Sequence, residues 1–104
     1  MMNPPSDVIA VLHRAADLVL VYGPNPVGCI RAAVYGRPDV VLPHWDTTES
    51  LLVEDAEYRL QREVNPLSVD ADEDDGIDEW AADKTPADVR GAFINAATEL
   101  EAGV

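Results

Sequence analysis

Apolar residues recur at helical spacing over most of the chain. In "SDVIAVLHRAADLVLVY", Val8, Val11, Ala15, Leu18 and Tyr22 form one stripe, and Ile9, Leu12, Ala16 and Val19 form a second beside it. Two adjacent stripes make a wide apolar face and leave His13, Arg14 and Asp17 on the narrow remainder. The first helix is therefore predicted to be central and covered from two sides. Ser6 can cap its start, and Gly23 can end it.

"NPVGCIRAAVYG" predicts a short second helix, with Asn25 as cap, Pro26 at the first helical position and Gly36 as terminator. Val27, Ile30 and Val34 give its inward face, and Gly28 suits the close approach of a neighbouring backbone. "RPDVVLPHW" brackets an apolar run with prolines and reads as a loop with one extended stretch. A third helix is expected from Asp46, with Glu49 reaching back to close a capping box. Leu52, Val53, Ala56 and Leu60 face inward on it, while Asp55, Arg59 and Glu63 make a ladder of alternating charge. Asn65 and Pro66 stop it. "TPAD" repeats the cap logic with Thr85 and Pro86, and Val89, Phe93, Ala96 and Leu100 carry the last stripe to about Gly103. The spacing thus predicts an all-α, four-helix domain over residues 1–104, with a long acidic loop at 67–79 between the third and fourth helices.

Composition narrows the setting. A chain of 104 residues fits one small domain. A single cysteine, Cys29, closes no internal disulfide and builds no thiolate zinc cluster, which suits a reducing, cytosolic compartment. The most apolar segment is interrupted by His13, Arg14 and Asp17, so it reads as neither a signal peptide nor a membrane span.

Charge changes the picture more. Residues 1–45 are neutral, with three acids against three arginines, whereas residues 46–104 hold seventeen acids against four cations and account for the whole net charge of −13. Such a chain lacks the clustered Lys and Arg that replace counterions on a nucleic-acid backbone or hold an anionic membrane. Direct nucleic-acid binding and membrane attachment are not expected. A basic protein surface is the natural partner.

The densest acidic stretch, "SVDADEDDGIDEW", invites comparison with a calcium loop. An EF-hand loop needs ligands at positions 1, 3 and 5, glycine at 6 and a bidentate Glu at 12. Counting from Asp70 puts Asp75 at the glycine position and Ala81 at the closing one; counting so that Gly76 falls at position 6 puts Ala71 first and Ala82 last. Both frames fail. Two roles for the stretch stay open, a solvated linker and a recognition surface made of Asp70, Asp72, Glu73, Asp74, Asp75, Asp78, Glu79 and Trp80. Ile77 and Trp80, interleaved with acids, could grip a basic partner that the charge steers in, or Trp80 could pin the segment to the core.

Catalytic parts are sparse. Cys29 could pair with His13 or His44 as thiolate and base, but it lies on the apolar side of a short helix, where a small buried residue is the simpler reading. His13 and His44 sit on separate segments without the spacing of a zinc motif, and "YGPNPVG" places prolines where phosphate-binding amides would have to converge. No catalytic residue, metal or cofactor is assigned.

"VLHRAADLVL", "GCIRAAVYG" and "IDEWAADKTPADVRGAFINAATEL" resemble, in order, the blocks of a family of small helical domains of unknown function from actinobacteria and their phages. The corresponding positions are Ala15 and Ala16, Cys29 with Ala32 and Ala33, Ile77 and Trp80, Thr85 and Val89, and Ala96 with Ala97. Ala81 and Ala82 depart from the Asn-Asp pair that often follows the Trp in that family. The resemblance implies an all-α domain of actinobacterial or phage origin and carries no mechanism. The expected function is a non-enzymatic acidic interaction module, phage-encoded, engaging a basic partner surface. The alternatives are a DNA mimic that occupies a nucleic-acid-binding groove, a solubilising accessory protein, and a small enzyme or metal protein in which His44 and several acids converge.

Overall fold

In the computed structural model, which describes residues 5–42, 45, 47–64 and 75–103, the first helix is α1 (Pro5–Tyr22). Its two expected stripes bury Val8, Val11, Leu12, Ala15, Ala16 and Val19 and half-bury Ile9 and Leu18. Only Tyr22 of that set turns outward. Gly23 follows with φ 79°, and its N–H closes on the Val19 carbonyl at 2.9 Å.

The second helix is α2 (Pro26–Tyr35), bounded as the sequence predicts. Asn25 Oδ1 accepts the Gly28 N–H at 3.3 Å, and Gly36, at φ 89°, donates to the Ala32 carbonyl at 2.8 Å. Its inward face is rotated from the expected one. Pro26, Cys29, Ile30 and Ala33 are buried, whereas Val27 and Val34 are half-buried, because α2 meets more than one neighbouring helix and its small side chains sit where the approach is closest. Gly28 also serves a different end from the one expected. A Cβ there would lie 2.9 Å from Asn25 Cγ, so the glycine leaves room for the helix's own cap.

The third helix, α3 (Thr48–Val64), starts later than predicted. Thr47 and Ser50 cap it reciprocally: the Thr47 N–H donates to Ser50 Oγ at 2.9 Å, and the Ser50 N–H donates to Thr47 Oγ1 at 3.0 Å. Asp46, the expected cap, lies outside the described residues. Val53, Ala56 and Leu60 are buried as expected, and Ser50, Glu57 and Gln61 join them on the same face. The Asp55–Arg59–Glu63 ladder does not form among the described residues; the Arg59 and Arg62 guanidinium carbons lie 5.9 and 5.8 Å from the Tyr58 ring centroid.

The expected acidic loop is corrected in part. Residues 67–74 lie outside the described residues, but the segment that follows is helical, α4 (Asp75–Ala81). Ile77 and Ala81, four residues apart, are buried, and Trp80 is half-buried against the same core. α4 packs on α3 and α2. Two apolar anchors one turn apart suffice to fold a charged segment onto a preformed surface.

The last helix, α5 (Pro86–Ala102), begins at Thr85 with a complete capping box, Asp88 Oδ2 accepting the Thr85 N–H and Thr85 Oγ1 accepting the Asp88 N–H, both at 3.2 Å. Val89, Ala92, Phe93, Ala96 and Ala97 are buried. The described residues thus contain five helices and no strand, so the chain is all-α with one helix more than the spacing predicted. All five contribute to one cluster of buried side chains, and α1 lies against α5, α2 and α3, most extensively α5. Arg31 ties the outside of this core: its guanidinium donates to the Val40 carbonyl at 2.9 Å and stands 3.9 Å from the nearly buried Glu57 carboxylate, joining α2, the loop beyond it and α3.

Ile77 is the apolar anchor of α4. Ile77→Ala is expected to lower the unfolding free energy by about 2–5 kcal/mol, read as a lower urea midpoint, and to speed amide exchange in α4. An unchanged midpoint would mean that α4 is not part of the cooperative core.

Candidate functional site

The residues expected to bind a partner divide by location. Asp70, Asp72, Glu73 and Asp74 lie outside the described residues. Asp75 and Asp78 belong to α4, where Glu79 is exposed and Trp80 half-buried. Trp80 is therefore both pinned and accessible: one side packs on the core cluster, and the Lys84 ammonium stands 5.7 Å from its ring centroid. Lys84 Nζ also lies 3.4 Å from Asp83 Oδ1.

Trp80 and Lys84 line a groove of about 540 Å³ between α3, α4 and α5. Glu63 and Val64 of α3 form one wall, and Ala87, Asp88 and Gly91 of α5 the other. No sequence motif marks this groove, because its walls come from residues some thirty positions apart that only the packing of α5 against α3 brings together. A second cavity, of about 340 Å³, lies between α1, α2 and α3, where Val11, Val34 and Leu52 give it an apolar lining and Asp7, Arg14 and Glu49 a charged rim. The Arg14 guanidinium, beside that cavity, donates to the Ala33 carbonyl at 3.4 Å.

Electrostatic tension is concentrated next to the groove. Burial, a hydrogen bond to Glu99 that only a protonated carboxyl can donate, and repulsion from the Glu99 charge together raise the Glu63 pKa above its ordinary 4.5. Glu99 also lines a depression with Arg59 and Arg62, so cations stand near the pair without an ion pair to it among the described residues.

The candidate nucleophile and bases do not converge. Cys29 is buried, its Sγ 3.8 Å from the Gly23 carbonyl, and burial pushes the thiol up to about 11 against a smaller lowering by the Asn25 backbone. His13 is exposed on α1 and reaches Glu101 of α5, Nε2 to Oε1 3.2 Å. His44 lies outside the described residues. Among the described residues no group of three or more His, Cys, Asp or Glu could hold a metal ion, and no helix is long and apolar enough to cross a membrane.

Two measurements check these assignments. The native Cys29 thiol is expected to react with an aromatic disulfide reagent only as fast as the protein opens, and at the rate of a free thiol in urea; fast labelling of the native protein would contradict its burial. For Glu63 the sign follows from the raised folded-state pKa: the stability it contributes is present below the ordinary carboxylate value and is lost as pH rises through the raised one. Glu63→Gln is therefore expected to stabilise the protein at neutral pH, and the gain to vanish as pH falls below about 4.5, in urea melts across that range. A gain independent of pH would point to another cause.

No protein-family model, no curated protein and no solved structure matches this chain.

Proposed function

We propose that the chain is a non-enzymatic acidic interaction module, acting in a reducing, cytosolic setting, whose carboxylate-rich face engages a basic surface of a partner protein. The observation that carries this reading is the uneven charge along the chain: all of the −13 resides after residue 45. The described residues add to it. Glu54, Glu79, Asp83, Asp88, Glu99 and Glu101 are exposed on α3, α4, α5 and the turn between the last two. Long-range attraction from such a surface raises the rate of encounter with a basic partner and weakens with salt. Asp70, Asp72, Glu73 and Asp74 extend the same charge in sequence toward α4, and Trp80 offers the adjoining apolar contact. The likeness of Cys29, Trp80 and Thr85 to the actinobacterial and phage domains supports an actinobacterial or phage origin for such a module and carries no mechanism.

A DNA mimic is the second reading, and one observation favours it: the acidic run continues into a helix at Asp75–Ala81, which supplies the rigid support that carboxylates need to imitate phosphates. In that case the chain displaces duplex DNA from its partner.

The chain, immobilised and exposed to extract of its native host, is expected to capture a basic protein at low ionic strength and to lose it as salt shortens the screening length below about 10 Å. Replacing Asp72, Glu73, Asp74 and Asp75 with Asn and Ala is expected to weaken the capture. Capture that is insensitive to both salt and these replacements would remove the reading, and displacement of DNA from the captured protein would select the mimic.

A further inference from the structure

We infer that the groove between α3, α4 and α5 receives a lysine or arginine side chain of the basic partner, seated over the Trp80 ring beside Glu63, in the place where Lys84 now rests. This rests on the reading of the chain as an acidic interaction module and adds to it a seat and a chemistry.

Three independent observations converge on the groove. The first is Lys84, whose ammonium lies over the Trp80 ring at 5.7 Å. The ring face thus already holds a cation, supplied by the short turn between α4 and α5, and an aromatic face that accepts one ammonium accepts another of the same chemistry. The second is charge. Glu63 and Asp88 stand on opposite walls, and Asp88 uses Oδ2 to cap α5, which leaves its other oxygen for a further donor. Glu63 is crowded by Glu99, a strain that an arriving cation relieves.

The third is Gly91, in the middle of α5. A glycine inside a helix is less favourable than alanine by about 0.5–1 kcal/mol, so it calls for a steric reason. None exists among the described residues, because a Cβ at Gly91 would meet nothing within 4 Å there. The space over it is the groove itself. At Gly28, by contrast, the chain's own cap fills the room. The missing side chain at position 91 keeps open a floor that none of the described residues occupies, as the approach of a ligand requires.

Seating a partner's cation displaces Lys84 from the ring. Lys84 has Asp83 beside it and a half-exposed stem, so it exchanges one carboxylate-rich setting for another and opposes binding only weakly. It acts as an internal competitor that sets a threshold for partner affinity.

The test uses the full chain carrying Trp45→Phe, which leaves Trp80 as the single indole reporter, titrated with a capped peptide of alternating arginine and glycine. Saturable quenching or a shift of Trp80 emission is expected. Lys84→Ala removes the competitor and is expected to tighten binding by about two- to fivefold, the factor that an exposed cation–π contact contributes. Arg37→Ala removes the same charge from the exposed loop after α2 and is expected to leave the affinity unchanged. Gly91→Leu fills the floor and is expected to abolish the response, with a circular dichroism spectrum and urea midpoint showing that the fold persists. If the peptide binds every variant alike, or if Arg37→Ala tightens binding as much as Lys84→Ala, overall charge holds the peptide elsewhere; the groove is then overturned while the acidic module stands. Absence of any response also overturns the groove, and salt-dependent capture of a host protein remains the separate measure of the module.

Discussion

Close approach of α1 to its neighbours is the constraint on which the rest of the structure depends. Ala15 and Ala16 are fully buried at its centre, and Ala33, Ala56, Ala92, Ala96 and Ala97 occupy the buried faces of α2, α3 and α5. Small side chains let helices pack near the lower end of the usual 8–10 Å separation. The gaps between them are filled by a few large residues, Phe93, Leu12, Ile30 and Leu60, each worth about 1.5–3 kcal/mol when removed from water. Ile77 of the short α4 is fully buried in the same cluster, where it covers a surface that the longer helices leave open.

The same packing bears on what the sequence made legible and what it did not. α1, α2 and α5 were readable because apolar period and end signals agree: Asn25, Pro26 and Gly36 bound α2, and Thr85 and Pro86 start α5. At the start of α3 two equally spaced capping boxes overlap, Asp46 with Glu49 and Thr47 with Ser50. The Thr47–Ser50 box forms with the Ser50 side chain buried, while Asp46 lies outside the described residues. α4 was hidden by its charge, although Ile77 and Ala81 already stood at helical spacing with Trp80 between them. Glu57 and Gln61 were missed for the opposite reason. They continue the stripe of Val53 at four-residue intervals, and a polar residue on an apolar stripe is easily read as facing out. The groove was not legible at all, since Glu63, Trp80 and Gly91 share no local pattern and meet only through α5 crossing α3.

Most cations of the chain are engaged internally. Arg31 serves Val40 and Glu57, Arg14 serves the Ala33 carbonyl, Arg59 and Arg62 lean on Tyr58, and Lys84 lies against Trp80 and Asp83. Most of these contacts are to backbone carbonyls and rings, and two are to carboxylates, the nearly buried Glu57 and the exposed Asp83. A cation held against a neutral ring or carbonyl keeps its full charge, so the net charge of −13 still sets the long-range field.

Solubility by itself would be served by spreading those acids. Instead Glu63 and Glu99 are set against each other across α3 and α5 at the edge of the groove, an arrangement that works against folding at neutral pH. Burial and the neighbouring Glu99 favour the protonated form of Glu63, and a cation that reaches that edge would favour the ionised one. Charge on the outer faces of α3, α4 and α5 is spread over several elements, whereas the groove proposed as the seat brings Glu63 and the Trp80 ring together at one place. On the proposed reading, attraction and selection fall to different carboxylates: the exposed ones would set how fast a partner arrives, and the crowded one where it stays.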